Sequence, residues 1–374
     1  MRKARFWLGI LISGVALVFA FRQVDFHKVW MALAGVKYWF VGASLIPLIL
    51  FLILRAIRWR MLFYPLRGLR LRNLFAVINI GYLLSNIFPA RLGDVARAYL
   101  IGDTEKVSRA AAFSTIVAER VLDALCAVGG FFLVLPFAPL PPWMIRSGLV
   151  IGGVALGAVV VFMILARRRE WTIQRLERLL CLLHWPDRPT MAYFWQRLAT
   201  RTRLRFLGRL PWADRTDLSR MAESLIDGLR GITYLNQGMP LILGSAVIWA
   251  VISGFYWFVL LAFDRSQPFV AGLAVASVTA LGMTIPASPG YIGIFEFLTR
   301  ETMGLLGMEP EPALSYALVA HAVVYLVYTL LGLISMAQQH LTYTQLQKRI
   351  SREAQTSRRS EEHTSELQSR FCIS

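Results

Sequence analysis

The chain has 374 residues, of which 56% are hydrophobic, and it carries 40 Lys and Arg against 22 Asp and Glu. The apolar residues fall in long blocks, which excludes an ordinary soluble domain and indicates a polytopic helical membrane protein, because a backbone in lipid must satisfy its own hydrogen bonds. The basic residues lie beside these blocks, so we attribute the formal charge of +18 to cytoplasmic loops and anionic lipid, and not to nucleic-acid binding.

The first 72 residues predict two spans joined at the outer surface. The apolar block 6–21 follows MRKAR and is typical of a signal anchor whose N-terminus stays inside. Residues 23–38 mix polar and apolar side chains, which predicts an amphipathic helix on the outer face. Residues 39–54 then cross back, and the six Arg between residues 55 and 72 indicate a cytoplasmic loop.

The topology depends on whether residues 74–88 cross the membrane or turn back within it. A crossing would place residues 167–215, with 12 Arg against 4 acidic residues, on the outer side, against the positive-inside rule. A re-entrant hairpin broken over residues 89–93 keeps that segment inside, with 121–138 as the outward span and 148–166 as the return. We therefore predict the hairpin, since non-helical backbone is tolerated at this depth where protein or water lines it.

The second half repeats the pattern in the opposite orientation. Residues 239–263 and 312–336 are spans, and the last span ends inside only if residues 269–285 form a second hairpin, entering from the outer face. Paired broken segments are typical of transporters built from inverted repeats, with the site at the breaks. The predicted fold is therefore an all-α, polytopic membrane protein with six spans and two re-entrant hairpins in inverted-repeat halves. The predicted structural breaks are Pro89, Gly93, Pro286, Pro289 and Gly290.

The chain divides into a transmembrane domain (1–345), a cytoplasmic tail (346–358) and a terminal segment (359–374). Residues 167–238 of the domain form a basic cytoplasmic insert. The terminal segment contains RSEEHTSELQS and resembles a translated sequencing-library adapter more than a natural protein segment. The cysteines show no spacing typical of a metal site or a disulfide framework, and we expect no metal and no cofactor.

Charged residues beside the first break form a candidate polar site. If a helix starts after Pro89, Asp94 faces both Arg91 and Arg97, and the helix N-terminus with its guanidinium groups suits a lipid phosphate. The alternative is that these charges neutralise each other at the cytoplasmic interface. Buried charges cost roughly 2.5–3.5 kcal/mol each on insertion scales, which favours the functional interpretation if they lie at depth.

A second charged group, Glu119, Arg120 and Asp123, precedes an apolar span on one continuous helix. Glu119 and Asp123 share a face, and Arg120 is spaced to pair with Asp123. A structural network with Arg91 or Arg97 is one interpretation. The alternatives are a lining for the path of a headgroup and a protonatable pair that couples transport.

Four further polar residues lie near the breaks or in the last span. Glu296 and Arg300 are either a surface pair of little energetic value or, for Glu296, the outer counterpart of Asp94. Asn86 is placed to cap or line the first hairpin. His321, inside the last span, is interpreted as a helix–helix hydrogen bond and not as a proton relay.

Four motifs resemble the lysylphosphatidylglycerol synthase transmembrane-region family, whose members are also called flippase-like membrane proteins. The motifs are RAIRWRMLFYP (55–65), NIFPARLGDVARAYLI (86–101), STIVAERVLDAL (114–125) and IPASPGYIGIFEFL (285–298), and the resemblance extends over about residues 1–345.

The chain departs from the family pattern at a few positions. Ala90 replaces a Gly of the first broken motif and Asp94 replaces a Glu. Tyr291 replaces a Gly of the second, where Glu296 keeps its place. These exchanges preserve the charges of both motifs.

The resemblance implies a bacterial inner-membrane protein that moves a polar-headed lipid, anionic or phosphate-bearing, between leaflets. With the predicted topology, both termini are cytoplasmic. We expect a transporter and not an enzyme, with membrane phospholipid or another polar-headed lipid as its partner; a homo-oligomer and a lipid-synthesis enzyme partner stay open. The rival interpretations are a membrane enzyme acting on lipid headgroups and a non-transporting accessory protein of a lipid-synthesis complex.

The candidate polar groove comprises Asn86, Arg91, Asp94, Arg97, Glu119, Arg120, Asp123 and Glu296, with Arg91 and Arg97 holding the anion and Asp94, Glu119 and Asp123 orienting them.

Overall fold

A computed structural model describes residues 2–22, 24–63, 68–87, 92–137, short helical pieces between 142 and 157, 235–263, 267–283 and 288–339. Within these ranges every regular element is a helix. Four described helices are long and apolar enough to cross a membrane: Tyr38–Leu62, Ala111–Phe137, Gly238–Leu261 and Pro310–Gln338. The predicted all-α polytopic class is confirmed.

Several sequence predictions concern residues outside these ranges. They are the basic insert up to residue 234, the tail 346–358, the segment 359–374 and most of the predicted span 148–166. The predicted first span, 6–21, lies within a helix whose described apolar part, Ile12–Phe21, is shorter than a full crossing.

The chain separates into two compact units. The first contains residues 1–172 and 222–333, and it holds the cavity and the charged cluster discussed below. The second contains residues 173–221 and 334–374, of which the structure describes only 334–339.

Within each half of the chain, the described helices follow one another with short connections. In the first half they are α1 (Arg2–Phe21), α2 (Phe26–Ala34), α3 (Tyr38–Leu62), α4 (Leu71–Ile87), α5 (Leu92–Glu105) and α6 (Arg109–Val134). In the second half they are α7 (Leu235–Leu261), α8 (Phe269–Gly282), α9 (Ile294–Leu305) and α10 (Pro310–Gln338), with a 3-10 turn at Pro289–Tyr291 before α9. Ser108 caps α6 by accepting a hydrogen bond from the backbone N–H of Ala111 at 3.5 Å.

Helix α3 is longer than the sequence predicted. The Arg-rich stretch that starts at residue 55 was expected to be a cytoplasmic loop, but the helix continues through it to Leu62. Arg55 and Arg58 are buried there together with Trp59. The prediction was wrong because both guanidinium groups find carboxylate partners on α6, so these residues need no contact with water.

Helices α4 and α5 form the first hairpin, in which the chain turns back on itself. A Cβ atom added to Gly93 would collide with the carbonyl of Gly81, so the absence of side chains lets the two backbones touch. At the open end of the hairpin the Asn73 amide donates to the carboxylate of Glu105 at 2.5 Å. The start of α4 and the end of α5 therefore lie side by side.

Helices α8 and α9 form the second hairpin. A Cβ atom on Gly282 would collide with Leu298, and at the open end the Gln267 amide donates to the carbonyl of Leu306 at 3.4 Å. The turn before α9 contains Gly290 with φ +68° and Gly293 with φ +94°, conformations that L side chains rarely adopt. The start of α8 and the end of α9 therefore also lie side by side.

The two halves share one order, a long helix, a hairpin and a second long helix, and their leading helices run antiparallel. At one end of the α3–α7 pair the Lys37 N–H donates to the carbonyl of Ala262 at 2.8 Å. At the other end Arg58 donates to Ser245 Oγ at 3.1 Å. An antiparallel relation between corresponding helices is what an inverted repeat requires.

Each hairpin also packs against the closing helix of the other half. Helix α4 runs antiparallel to α10, with the Asn86 amide donating to Tyr325 O (3.3 Å) and Thr329 Oγ1 (3.2 Å). Helix α8 packs in the same way on α6, through contacts between residues 130 and 277 and between 134 and 274. The tips meet near Gly290, where an added Cβ would lie 3.7 Å from the carbonyl oxygen of Asn86.

The position of the hairpins relative to the bilayer stays a prediction, and the pairing of their ends makes it testable. In a variant without the three native cysteines, single cysteines at 73 and 105 are expected to react with a membrane-impermeant maleimide from the same face. Cysteines at 267 and 306 are expected to react from the opposite face. Labelling of 73 and 105 from different faces would exclude a re-entrant first hairpin.

Candidate functional site

A cavity of about 340 Å³ lies between the two hairpin tips. Both hairpins and helices α3, α6, α7 and α10 contribute to its wall. One part of the wall is charged, with Arg55, Asp94, Arg97, Arg120 and Asp123. The rest is uncharged and mostly apolar. Its aromatic residues include Tyr82, Trp249, Tyr256, Phe295 and Tyr325, with the His321 imidazole beside them.

Glu119 on α6 is the centre of the charged cluster. Its carboxylate is fully buried and accepts hydrogen bonds from Arg55 and from Arg97, the latter at 2.7 Å. The guanidinium group of Arg58 lies 3.6 Å away. One carboxylate thus joins two guanidinium groups from α3 and one from α5.

Asp123, one turn further along α6, binds the same two arginines of α3. Arg58 donates to it at 2.6 Å and Arg55 at 3.0 Å. Arg55 and Arg58 are spaced i, i+3 and Glu119 and Asp123 i, i+4, so the two pairs lie on facing sides of their helices. Helix α3 is therefore attached to α6 by two carboxylates and two guanidinium groups.

Asp94, in the first turn of α5, binds Arg120 on α6. Arg120 donates to both carboxylate oxygens, at 2.6 and 3.1 Å, and Arg97 lies 3.7 Å from the carboxylate. The predicted pairing of Arg120 with Asp123 was wrong, because Arg55 and Arg58 already occupy that carboxylate. The acidic residue at the start of α5 also interacts favourably with the helix dipole.

The described cluster carries a positive surplus. Four arginines (55, 58, 97 and 120) face three carboxylates (94, 119 and 123), which leaves a formal charge of 4 − 3 = +1. The Arg97 guanidinium also lies over the ring of Trp59, 4.3 Å from its centroid. The Nε atoms of Arg55, Arg58 and Arg97 are buried and find no hydrogen-bond partner within the described part of the chain.

Glu296 and His321 form a second polar group at the other hairpin. Glu296 is buried, and its Oε1 lies 2.6 Å from His321 Nδ1. The surface pairing of Glu296 with Arg300 was wrong: Arg300 donates to the backbone carbonyls of Phe19 and Ala20 at the end of α1. The prediction that His321 makes a helix–helix hydrogen bond is confirmed.

The remaining predicted residues divide between the described ranges and the rest of the chain. Asn86 lies at the tip of α4, and Gly93 lies in the first turn of α5. The breaks Pro289 and Gly290 lie in the 3-10 turn of the second hairpin. Three predicted residues fall outside the described residues: Pro89, Arg91 and Pro286. No group of three or more His, Cys, Asp and Glu side chains in the described ranges is arranged to hold a metal ion.

Arg55 and Arg58 are the site residues that the sequence analysis missed. Their spacing on the C-terminal part of an apolar helix, matched by Glu119 and Asp123 on another, was the available signal. It was hidden because arginines at the end of a span ordinarily mark the cytoplasmic interface.

Comparison with protein families gives one match that covers most of the chain. The family model described as "Lysylphosphatidylglycerol synthase TM region" matches residues 6–332. This range contains every charged residue of the cluster and both hairpins.

Two curated relatives are similar at low identity. The chain is 25% identical over 356 residues to Glycosyltransferase AglD of Haloferax volcanii, covering 92% of this chain and 56% of the relative. It is 26% identical over 164 residues to UPF0104 membrane protein MJ1595 of Methanocaldococcus jannaschii, covering 41% of this chain and 48% of the relative. The chain thus spans about half the length of the curated relatives it matches. No solved structure matches it.

Proposed function

Because the chain belongs to the lysylphosphatidylglycerol synthase transmembrane-region family, we propose that it is a lipid translocase, which moves a polar-headed lipid between the two leaflets. The headgroup is anionic or bears a phosphate. The observation that carries this proposal is the cavity between the hairpin tips, whose charged wall has more guanidinium groups than carboxylates.

The charge of the cluster supports an anionic headgroup. A buried positive surplus is costly in a membrane protein unless a counter-ion compensates it. A phosphate would supply that counter-charge, and guanidinium groups bind phosphate oxygens in bidentate geometry. The N-terminus of α5 begins at Leu92 beside the same cluster, and helix N-termini favour anions.

The size and wall of the cavity support a headgroup site whose lipid tails stay in the membrane. A volume of about 340 Å³ accommodates a headgroup but not two acyl chains. The antiparallel arrangement of the two halves supports alternating access, in which one repeat moves against the other around a central site. A bacterial inner-membrane location with both termini in the cytoplasm belongs to the same proposal.

An enzymatic role is the second candidate, because one relative is named a glycosyltransferase. That relative extends well beyond the part that this chain matches, so the name alone does not place its chemistry in the shared part. The carboxylates that would serve catalysis, Asp94 and Asp123, are each bound to arginines in the structure. We therefore propose transport, with no chemical change to the lipid.

The test is exchange of labelled lipid in vesicles containing the purified protein. Fluorescent phosphatidylglycerol and phosphatidylcholine are placed in both leaflets, and the fraction bleached by an impermeant reductant is followed with time. We expect faster exchange than in protein-free vesicles, with phosphatidylglycerol ahead of phosphatidylcholine. Exchange equal to that of empty vesicles would reject the translocase, and a change in lipid mass detected in the same sample would favour the enzyme.

A further inference from the structure

A buried carboxylate and imidazole connect three separate parts of the second half. Glu296 belongs to α9, and its Oε2 accepts a hydrogen bond from the N–H of Gly293 at 2.6 Å. Its Oε1 lies 2.6 Å from Nδ1 of His321 on α10. The other ring nitrogen, Nε2, lies 2.9 Å from the carbonyl oxygen of Gly290, in the turn at the hairpin tip. His321 thus lies between a carboxylate and the tip of the hairpin.

Both atoms that face the imidazole are hydrogen-bond acceptors. A neutral imidazole has a single N–H group, so it cannot donate to the carboxylate and to the carbonyl at once. A second proton must therefore reside on the ring of His321 or on the carboxyl of Glu296. With that proton every contact is satisfied, and the pair as a whole carries no net charge.

Loss of this proton breaks one of the two contacts. The N–H that stays is held at Nδ1 by the charged carboxylate of Glu296, because charge-assisted hydrogen bonds are the stronger ones. Nε2 then turns a lone pair toward the carbonyl oxygen of Gly290, and the two repel each other. The link between the hairpin tip and α10 is lost.

The tip that this proton holds belongs to the cavity wall. Gly290 lines the cavity, and an added Cβ there would lie 2.8 Å from the ring of Tyr325 and 3.7 Å from the carbonyl oxygen of Asn86. Movement of Gly290 therefore changes the contact between the two hairpins as well as the contact with α10.

We propose that Glu296 and His321 form a proton-binding site that fastens the tip of the second hairpin to α10 when occupied and releases it when empty. Proton binding thereby controls the opening of the cavity. This inference rests on the proposed function in so far as the cavity carries the headgroup, whereas proton binding itself can be measured without transport.

Among the described residues around the cavity, Glu296 and His321 are the pair that we expect to gain and lose the proton. Helices α8 and α1 both pack against α9; α8 contributes no titratable side chain, and neither does α1 over residues 12–21, whose side chains the structure describes. On α9 itself, the charged groups of Arg300 and Glu301 lie 3.9 Å from each other. The other titratable or charged groups that line the same cavity are tyrosines near the pair and charged residues of the cluster: Tyr82, Tyr256, Tyr291, Tyr325, Tyr328, Arg55, Asp94, Arg97, Arg120 and Asp123. A phenol is a far weaker acid than a carboxyl or an imidazolium group, and each carboxylate of the cluster is bound to arginine.

The variant Glu296→Gln removes the exchangeable proton of the pair but keeps its hydrogen-bond geometry. The glutamine oxygen accepts from the N–H of Gly293, and its NH₂ group donates to Nδ1 of His321. This fixes the N–H of the imidazole at Nε2, where it donates to Gly290. The variant therefore keeps all three contacts with no proton to lose.

The first experiment measures proton binding in the purified protein. Because the proton strengthens the folded contacts, wild-type thermal stability is expected to fall relative to Glu296→Gln as the pH rises, by up to about tenfold in the unfolding equilibrium per pH unit. His27→Gln, which changes an exposed histidine on α2, is expected to follow the wild type.

¹⁵N NMR of labelled histidine, with the His321 signal assigned by its loss in His321→Gln, is expected to show a titration that Glu296→Gln abolishes. A His321 signal that keeps the same protonation in both proteins overturns the proposal.

The second experiment measures lipid exchange in vesicles with the pH set separately on each side. The wild-type rate is expected to depend on the gradient and the Glu296→Gln rate is expected not to. Exchange that ignores pH in the wild type, with an NMR signal that does not titrate, rejects the proton site and leaves the translocase intact. Titration of His321 without any lipid exchange supports the proton site and rejects the translocase.

Discussion

Glu119→Ala is expected to destabilise the protein by about 3–5 kcal/mol, because it removes one partner of a buried ionic network. The Glu119 carboxylate is fully buried and accepts from Arg55 and Arg97, with Arg58 close by. Without it, the formal charge of the cluster rises from +1 to +2, and the only described carboxylate that stays beside Arg97 is the more distant Asp94, at 3.7 Å. The side chains of Arg55 and Arg97 are only 7% and 3% exposed, so water compensates the lost carboxylate only in small part.

The measurement is the fraction of detergent-solubilised protein that stays monodisperse after heating, and the expected loss in midpoint is on the order of 10 °C. Glu301→Ala is the matched control, since that carboxylate is 46% exposed and 3.9 Å from Arg300. It is expected to change stability by less than about 1 kcal/mol. If Glu119→Ala prevents purification, Glu119→Gln is measured in its place. Its loss in midpoint is expected to lie between the losses expected for Glu119→Ala and for Glu301→Ala. Equal midpoints for the buried and the exposed variants would contradict the role of the network.

Arg120→Gln is expected to slow the exchange of phosphatidylglycerol between about ten- and a hundredfold. Arg120 lines the cavity and is the most exposed arginine of the cluster, at 35% of its side chain. Its removal lowers the formal charge of the cluster from +1 to zero. A hydrogen bond to a charged group contributes about 1.5–3 kcal/mol, which corresponds to the expected loss if Arg120 donates to the headgroup.

Two further variants separate charge from structure in this prediction. Arg60→Gln removes an exposed arginine from α3 and is expected to leave the exchange rate unchanged. Asp94→Asn breaks the same contact as Arg120→Gln but raises the formal charge of the cluster to +2, so phosphatidylglycerol should compete better against phosphatidylcholine. An equal loss of exchange in the Arg120 and Asp94 variants would show that the pair only holds α5 against α6.

The helices could largely be predicted from the sequence, because length and hydropathy determine a span locally. The start of α6 near Ser108 follows from a capping serine and a continuous helical pattern. The end of α3 could not be predicted in the same way. Arg55 and Arg58 stay helical and buried because of carboxylates that lie about 65 residues later in the chain, and no local pattern contains that information.

The sequence predicted which residues belong to the candidate site better than it predicted which of them bind each other. Asp94, Arg97 and Glu119 do lie together. However, Arg120 and Glu296 were assigned partners three or four residues away on their own helices, and both instead bind residues on other helices. Helical spacing ranks only the local partners, whereas the contacts of a buried charge are decided by whichever helix packs against it.

The charges of α3 also constrain the order in which the protein is assembled during synthesis. Arg55 leaves the ribosome 64 residues before Glu119, roughly 3–13 s earlier at ordinary elongation rates. Each unpaired arginine opposes entry into lipid by roughly 2.5–3.5 kcal/mol. The C-terminal turns of α3 are therefore expected to wait at the translocon or the membrane surface, and to enter the bilayer only together with α6.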